Sequence, residues 1–275
     1  MTTIEMKKLS SNNIVSPKGF TAAGVHCGIK KEKKDLAILV SEVPASVAGV
    51  FTTNAVQAAP LKVTKEVVYN SKKMQAIIVN SGNANACTGK QGVADAYEMQ
   101  ALAATKLGIE PYLVGVASTG VIGEIMNMEP VVKGVEMLNP NNDLESGMNF
   151  AQAILTTDTV MKNTTYATVI DGKEVLVSGT AKGSGMIEPN MATMLGFITT
   201  DANIESDELQ KALSEITNLT FNAITVDGDT STNDTVVVLA NGLAGNEPLT
   251  PAHPEWNNFY TALRLVSEDL AKGIS

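Results

Sequence analysis

"VIDGKEVLVSG", residues 169–179, decides the fold class. Two runs rich in Val, Ile and Leu flank an Asp-Gly pair, and Asp-Gly tolerates the left-handed backbone of a tight two-residue turn. The stretch predicts a β-hairpin and therefore antiparallel pairing. Four further runs, "DLAILVS" (35–41), "MQAIIVN" (74–80), "YLVGVAS" (112–118) and "DTVVVLA" (234–240), read as strands buried on at least one face. Helical spacing separates them. In "SDELQKALSEI" (206–216), Leu209, Ala212, Leu213 and Ile216 form one apolar stripe, with Ser206 as the expected N-cap and Asp207 and Glu208 at the positive helix end. A second helix is expected over 91–107, stopping at Gly108, and a third over 143–155. A fourth carries Phe259, Leu263, Val266 and Leu270 on one stripe. The predicted fold is α/β, with mixed β-sheets flanked by helices, arranged as two lobes. The polar segment "NPNNDLESG" (139–147) is the candidate lobe boundary.

With 275 residues, 44% of them hydrophobic, the chain can bury a large core. A net charge of −9 and no basic cluster denser than "KKEKK" (30–34) argue against nucleic acid as a partner. The N-terminal 20 residues contain no apolar leader segment, and no run approaches the roughly 20 apolar residues of a membrane span. A cytoplasmic, membrane-free protein is expected. Cys27 and Cys87 lack the CxxC spacing and read as buried small hydrophobes. The two histidines, His26 and His253, are too few for most histidine-based hydrolases and for His-rich metal sites, so no metal is expected.

A base other than histidine is available in "KGSGMIEPNMATMLGFITTDA" (182–202), where Thr193 joins a Gly/Pro/Asn-rich half to an apolar one. A threonine hydroxyl is activated by its own α-amine once the preceding peptide bond, Ala192–Thr193, is cut through an N-to-O acyl shift. On spacing alone, an ordinary turn or capping threonine fits the same pattern. "ASTGVIGE" (117–124) places Thr119, Gly120 and Gly123 in a turn whose N–H groups suit an oxyanion, and equally suit a plain strand-to-helix connection. "NSGNANACTGKQG" (80–92) suits a loop that lets substrate or another backbone approach closely, and equally a plain turn crowded with Asn and Gly. "DGDTSTNDT" (227–235) holds Asp227, Asp229 and Asp234 but lacks the Glu that closes a calcium loop, so hydrogen-bonded turns explain it more simply. No phosphate loop or dinucleotide fingerprint is present in the sequence, and no nucleotide cofactor is expected.

Together with "GFTAAGVHCGIKK" (19–31), these segments resemble, in order and across about residues 17–272, the ornithine acetyltransferases, also called bifunctional glutamate N-acetyltransferases of arginine biosynthesis. The resemblance implies a self-processing precursor. Cleavage at Ala192–Thr193 would give an α chain, residues 1–192, and a β chain beginning at the nucleophile Thr193. Thr193 would take an acetyl group from N2-acetylornithine and pass it to glutamate, with acetyl-CoA as a possible second donor and no bound cofactor. By motif matching, Thr119 and Gly120 would form the oxyanion hole, while Thr156 in "ILTTDT" and Lys182 would contact substrate. An α2β2 assembly is implied. Family chains carry a further Asp-Gly-Glu-Gly-Ala-Thr segment after the last helix, so the resemblance is to a C-terminally truncated member. An amidohydrolase or aminopeptidase on a similar scaffold, and an inactive remnant, are the competing readings.

Overall fold

The computed structural model describes residues 6–183, 194–223 and 231–274. Ala192 and Thr193, the predicted cleavage site, lie outside the described residues, as do Asp227 and Asp229.

The hairpin forms as the sequence predicts. Strand β6 (Lys162–Ile170) pairs antiparallel with β7 (Lys173–Lys182), and the connecting Asp171 and Gly172 both adopt positive φ, 52° and 69°. Polar groups pin that turn: Asp171 N donates to Glu255 Oε2 at 2.6 Å, and His253 Nε2 lies 3.3 Å from Asp171 Oδ1.

β1 (Met6–Lys8), β2 (Phe20–Val25), β3 (Leu36–Phe51), β4 (Lys73–Asn83), β5 (Val114–Val121), β8 (Leu195–Thr200) and β9 (Thr235–Ala240) complete one nine-stranded sheet. Its order is β1-β6-β7-β8-β9-β3-β4-β5, with β2 also paired to β3. The β8–β9 and β4–β5 pairs are parallel and the others antiparallel, so the expected mixed character holds. All nine strands belong to one sheet. β3 is 16 residues long and pairs with β4 chiefly through its first half and with β9 through its second, with a register shift between Val40 and Ala45. That single strand carries the sheet from one half to the other. In the 139–147 segment, Asn141 bridges to Ala22 in β2.

Strand periodicity then sorts the side chains into three cores. Leu36, Ile38, Ala76 and Ile78 face α2 (Gly89–Leu107) and α3 (Met128–Met137). Val236, Val238 and Ile198 face α5 (Ser206–Leu219) and α6 (Trp256–Ile274). The alternate residues Ala37, Leu39, Ile77, Val79 and Ala117 meet Leu195, Phe197, Val237 and Leu239 in a middle core. The sheet is thus folded on itself, with a layer of helices on each outer face. α1 (Ala59–Glu66) closes one edge: Thr64 Oγ1 donates to Val116 O at 2.6 Å and accepts from Val116 N at 2.8 Å. α4 (Leu144–Ala153), N-capped by Asp143, adds Phe150 and Ala153 to the middle core.

Two local expectations change. Ser206 is not the cap of α5 but its first helical residue; its buried hydroxyl accepts from Val47 N at 3.0 Å and donates to Lys72 O. The cysteines are not both buried. Cys87 is exposed with φ 59° in the loop after β4, and Cys27 is half-buried where its backbone N–H donates to Asp35.

Candidate active site

The candidate site lies at one end of the middle core. Ala117 points into that core, so Thr119, two residues on, shares its face. On β7, Val175, Val177 and Ala181 point to the outer core, which turns Lys182 inward. The two side chains meet: Lys182 Nζ donates to Thr119 Oγ1 at 3.0 Å, and each residue is at most 3% exposed. Because the Thr119 oxygen accepts this bond, its own proton stays available for an oxyanion. Burial draws the Lys182 ammonium below its ordinary value, opposed chiefly by the charge of Asp158.

Gly120 follows with φ 137°, a conformation that suits glycine. A Cβ there would stand 2.3 Å from the carbonyl carbon of Gly82, its register partner on β4. Within the 80–92 segment, Gly82 thus takes a second backbone at close range. The turn is braced from below. Ser118 Oγ donates to Asn80 Oδ1 at 2.5 Å, Asn80 Nδ2 donates to Asn83 O, and Asn233 Nδ2 reaches both Ser118 O (2.8 Å) and Ala84 O (2.7 Å).

Thr156, after α4, is half-buried. The structure joins it to the Lys182 segment through Asp158, a residue of the same "ILTTDT" motif with no role expected from sequence. Asp158 Oδ1 accepts from Lys162 Nζ at 2.6 Å and from Gly183 N at 2.8 Å, while Thr156 N approaches Oδ2 at 3.4 Å. Burial pushes the Asp158 carboxyl up, but Lys162, Gly183 N–H and the Lys182 charge together hold it below the ordinary carboxylate range. Lys30 Nζ, bonded to Leu155 O at 2.9 Å, anchors the loop start.

At the head of the parallel pair, the fully buried Asp234 accepts from Met194 N at 2.9 Å, and Thr235 N donates to Met194 O at 3.1 Å. Burial pushes the Asp234 carboxyl up to about 8, against the pull of Met194 N–H, the Ser231 hydroxyl and the Lys182 charge. Asn233 and Asp234 read in the sequence as turn residues, and the turn does form, with Asn233 N donating to Ser231 Oγ. Their reach across the fold has no local signal.

Residues 21–275 match the model of the ArgJ family. The chain is 59% identical over 273 residues to the arginine biosynthesis bifunctional protein ArgJ of Halalkalibacterium halodurans, covering 99% of this chain and 66% of that protein. It thus spans about two thirds of the length of that curated relative. Among solved structures, an ornithine acetyltransferase complexed with ornithine from Mycobacterium tuberculosis is 35% identical with a TM-score of 0.62, covering 67% of this chain and 98% of that one. An L-aminopeptidase D-Ala-esterase/amidase from Ochrobactrum anthropi, described as a variant of the Ntn hydrolase fold, is 9% identical with a TM-score of 0.61 over 98% of this chain and 86% of that one. That likeness is one of fold alone.

Proposed function

The chain belongs to the ArgJ family, and from that premise we propose that it moves an acetyl group from N2-acetylornithine to glutamate through an acetyl-threonine, in arginine biosynthesis. In this reading the Thr193 hydroxyl first adds to the carbonyl carbon of Ala192. The C–N bond breaks as an ester forms, and water hydrolyses the ester to leave a carboxylate on Ala192 and a free α-amine on Thr193. That amine then takes the hydroxyl proton as the oxygen attacks the acetyl carbonyl, ornithine leaves with the proton, and the amine of glutamate takes the acetyl group from the ester.

The observation that carries the reading is the buried Lys182–Thr119 contact. It holds a hydroxyl with its proton free beside the N–H of Gly120, the pair of donors that a developing oxyanion requires. The Lys182 cation, together with Thr156 and Asp158 on the neighbouring loop, would supply the polar contacts of an amino-acid substrate. The division into 1–192 and 193–275 chains also accords with the solved relative: 98% of the Mycobacterium chain corresponds to only 67% of this one. An α2β2 assembly, a cytoplasmic location and acetyl-CoA as second donor belong to the same proposal. No described helix is long and apolar enough to cross a membrane.

The experiment is the intact mass of the denatured protein beside Thr193→Ala. Two fragments meeting at Ala192/Thr193 in the wild type, and one uncut chain in the variant, are expected; an uncut wild type overturns the reading. The aminopeptidase-like fold keeps a hydrolase in view, and transfer of labelled acetyl to glutamate, against release of acetate, separates the two.

A further inference from the structure

Residue 194 is held on both sides of its peptide unit by one short segment. Its N–H donates to Asp234 Oδ1 at 2.9 Å and its carbonyl accepts from Thr235 N at 3.1 Å. Asp234 itself is fixed: its carbonyl accepts from Thr52 N at 2.9 Å, and its neighbour Asn233 is tied to Ser118 O, one residue before Thr119. A side-chain carboxyl thus performs a backbone's task, ending the β8–β9 ladder one residue earlier than the strands themselves reach. Its second oxygen, Oδ2, is buried with no hydrogen-bond partner among the described residues.

The nitrogen that Asp234 grips belongs to the peptide bond joining residue 193 to 194. We propose that Asp234 is a positioning residue: it clamps this peptide so that residue 193 is presented in register with the Thr119–Gly120 turn, acting through Met194 rather than on substrate. The inference rests on the acetyltransferase reading, in which residue 193 is the nucleophile, and adds to it a residue to which the resemblance assigns no role.

The carboxyl works in its neutral form. The new α-amine belongs to the residue bonded to Met194 N, so an ionised Asp234 would favour the ammonium and remove the base, whereas a neutral acid accepts the Met194 N–H and leaves the amine basic. Of the described groups around it, Lys182 on β7 is the charged one that bears on Asp234, with Asp158, Lys162 and Lys30 behind it. Thr52, Ser231, Thr232 and Asn233 are neutral. Asparagine reproduces the neutral acid, with an acceptor at Oδ1 and donors in place of Oδ2–H.

The test compares wild type, Asp234→Ala and Asp234→Asn by time-resolved intact mass and by residue-resolved amide exchange at Met194. Asp234→Ala is expected to keep a cooperative thermal unfolding transition, to exchange Met194 faster and to cleave about 100-fold more slowly, the scale of a small misplacement of reacting groups. Asp234→Asn is expected to restore Met194 protection and cleavage together. Wild-type cleavage in a folded Asp234→Ala protein overturns the positioning role, and unchanged Met194 exchange overturns the clamp. Failure of Asp234→Asn to cleave overturns the neutral form. An uncut wild type counts against the acetyltransferase reading instead, and Met194 exchange then decides the clamp either way.

Discussion

Lys182 Nζ lies 3.0 Å from Thr119 Oγ1, joining the end of β7 to the end of β5 although the two strands stand five places apart in the sheet order. Only the folding of the sheet on itself brings them together. The bond also sets a direction. Lysine has donors and no acceptor, so the threonine proton must point elsewhere.

Removing that proton tests its use. Thr119→Val keeps the shape and is expected to lower kcat/KM for acetyl transfer by about 10²–10³, the usual cost of one oxyanion donor. Thr119→Ser, which keeps the hydroxyl, should lose far less. Equal losses in the two variants, measured with N2-acetylornithine and glutamate, would assign Thr119 to packing.

Gly120 faces backbone and not a yielding side chain. A methyl group 2.3 Å from the Gly82 carbonyl carbon, at φ 137°, forces β4 and β5 apart at the turn. Gly120→Ala is expected to cost about 1–3 kcal/mol in strain, seen as a lower denaturation midpoint, and to slow self-cleavage with it. Unchanged stability would show that the turn has room.

The pH dependence has a definite sign. Asp234 is raised from 3.8 to about 8, so between those values the unfolded chain releases a proton that the folded state keeps. The stabilisation is complete below the unfolded value and is lost as pH rises, by about 1.4 kcal/mol per pH unit, levelling off above the folded value. Asparagine cannot titrate. Urea melts at pH 5, 6 and 7 should show wild type losing stability relative to Asp234→Asn at every step; parallel curves would place the carboxyl in its ionised form.

Cleavage at residue 193 would not separate the fold. β8 and β9, which follow that point, sit between β7 and β3, which precede it, and Phe197, Val237 and Leu239 fill the middle core. The two fragments are expected to co-elute under native conditions and to part only in denaturant. Native dissociation of the fragments would contradict this sheet order.

The candidate site was legible only in parts. Thr119, Gly120 and Lys182 stand in sequence motifs and converge in space, while among the described residues Thr156 connects to Lys182 through Asp158 and the backbone of Gly183. Asp158 and Asp234 carry no site signal in sequence, because an aspartate in a Thr-rich or Asn-rich turn is first of all a turn residue. Lys162 stands four residues after Asp158, a spacing at which such pairs form locally, but nothing near Asp234 announces its bond to Met194.

By itself the sequence determined what depends on neighbours along the chain. The Asp-Gly hairpin, the period-2 strands and the end of α2 at Gly108 are local consequences of backbone freedom and side-chain alternation. The tertiary structure alone decided that β3 would serve both halves of one sheet, that Ser206 would brace Val47 and Lys72 instead of capping its helix, and that Cys87 would be exposed. It also decided the charge states of the site. Burial supplies the largest pressure on Lys182, Asp158 and Asp234, and which groups are shut away from water together is set by how distant strands stack.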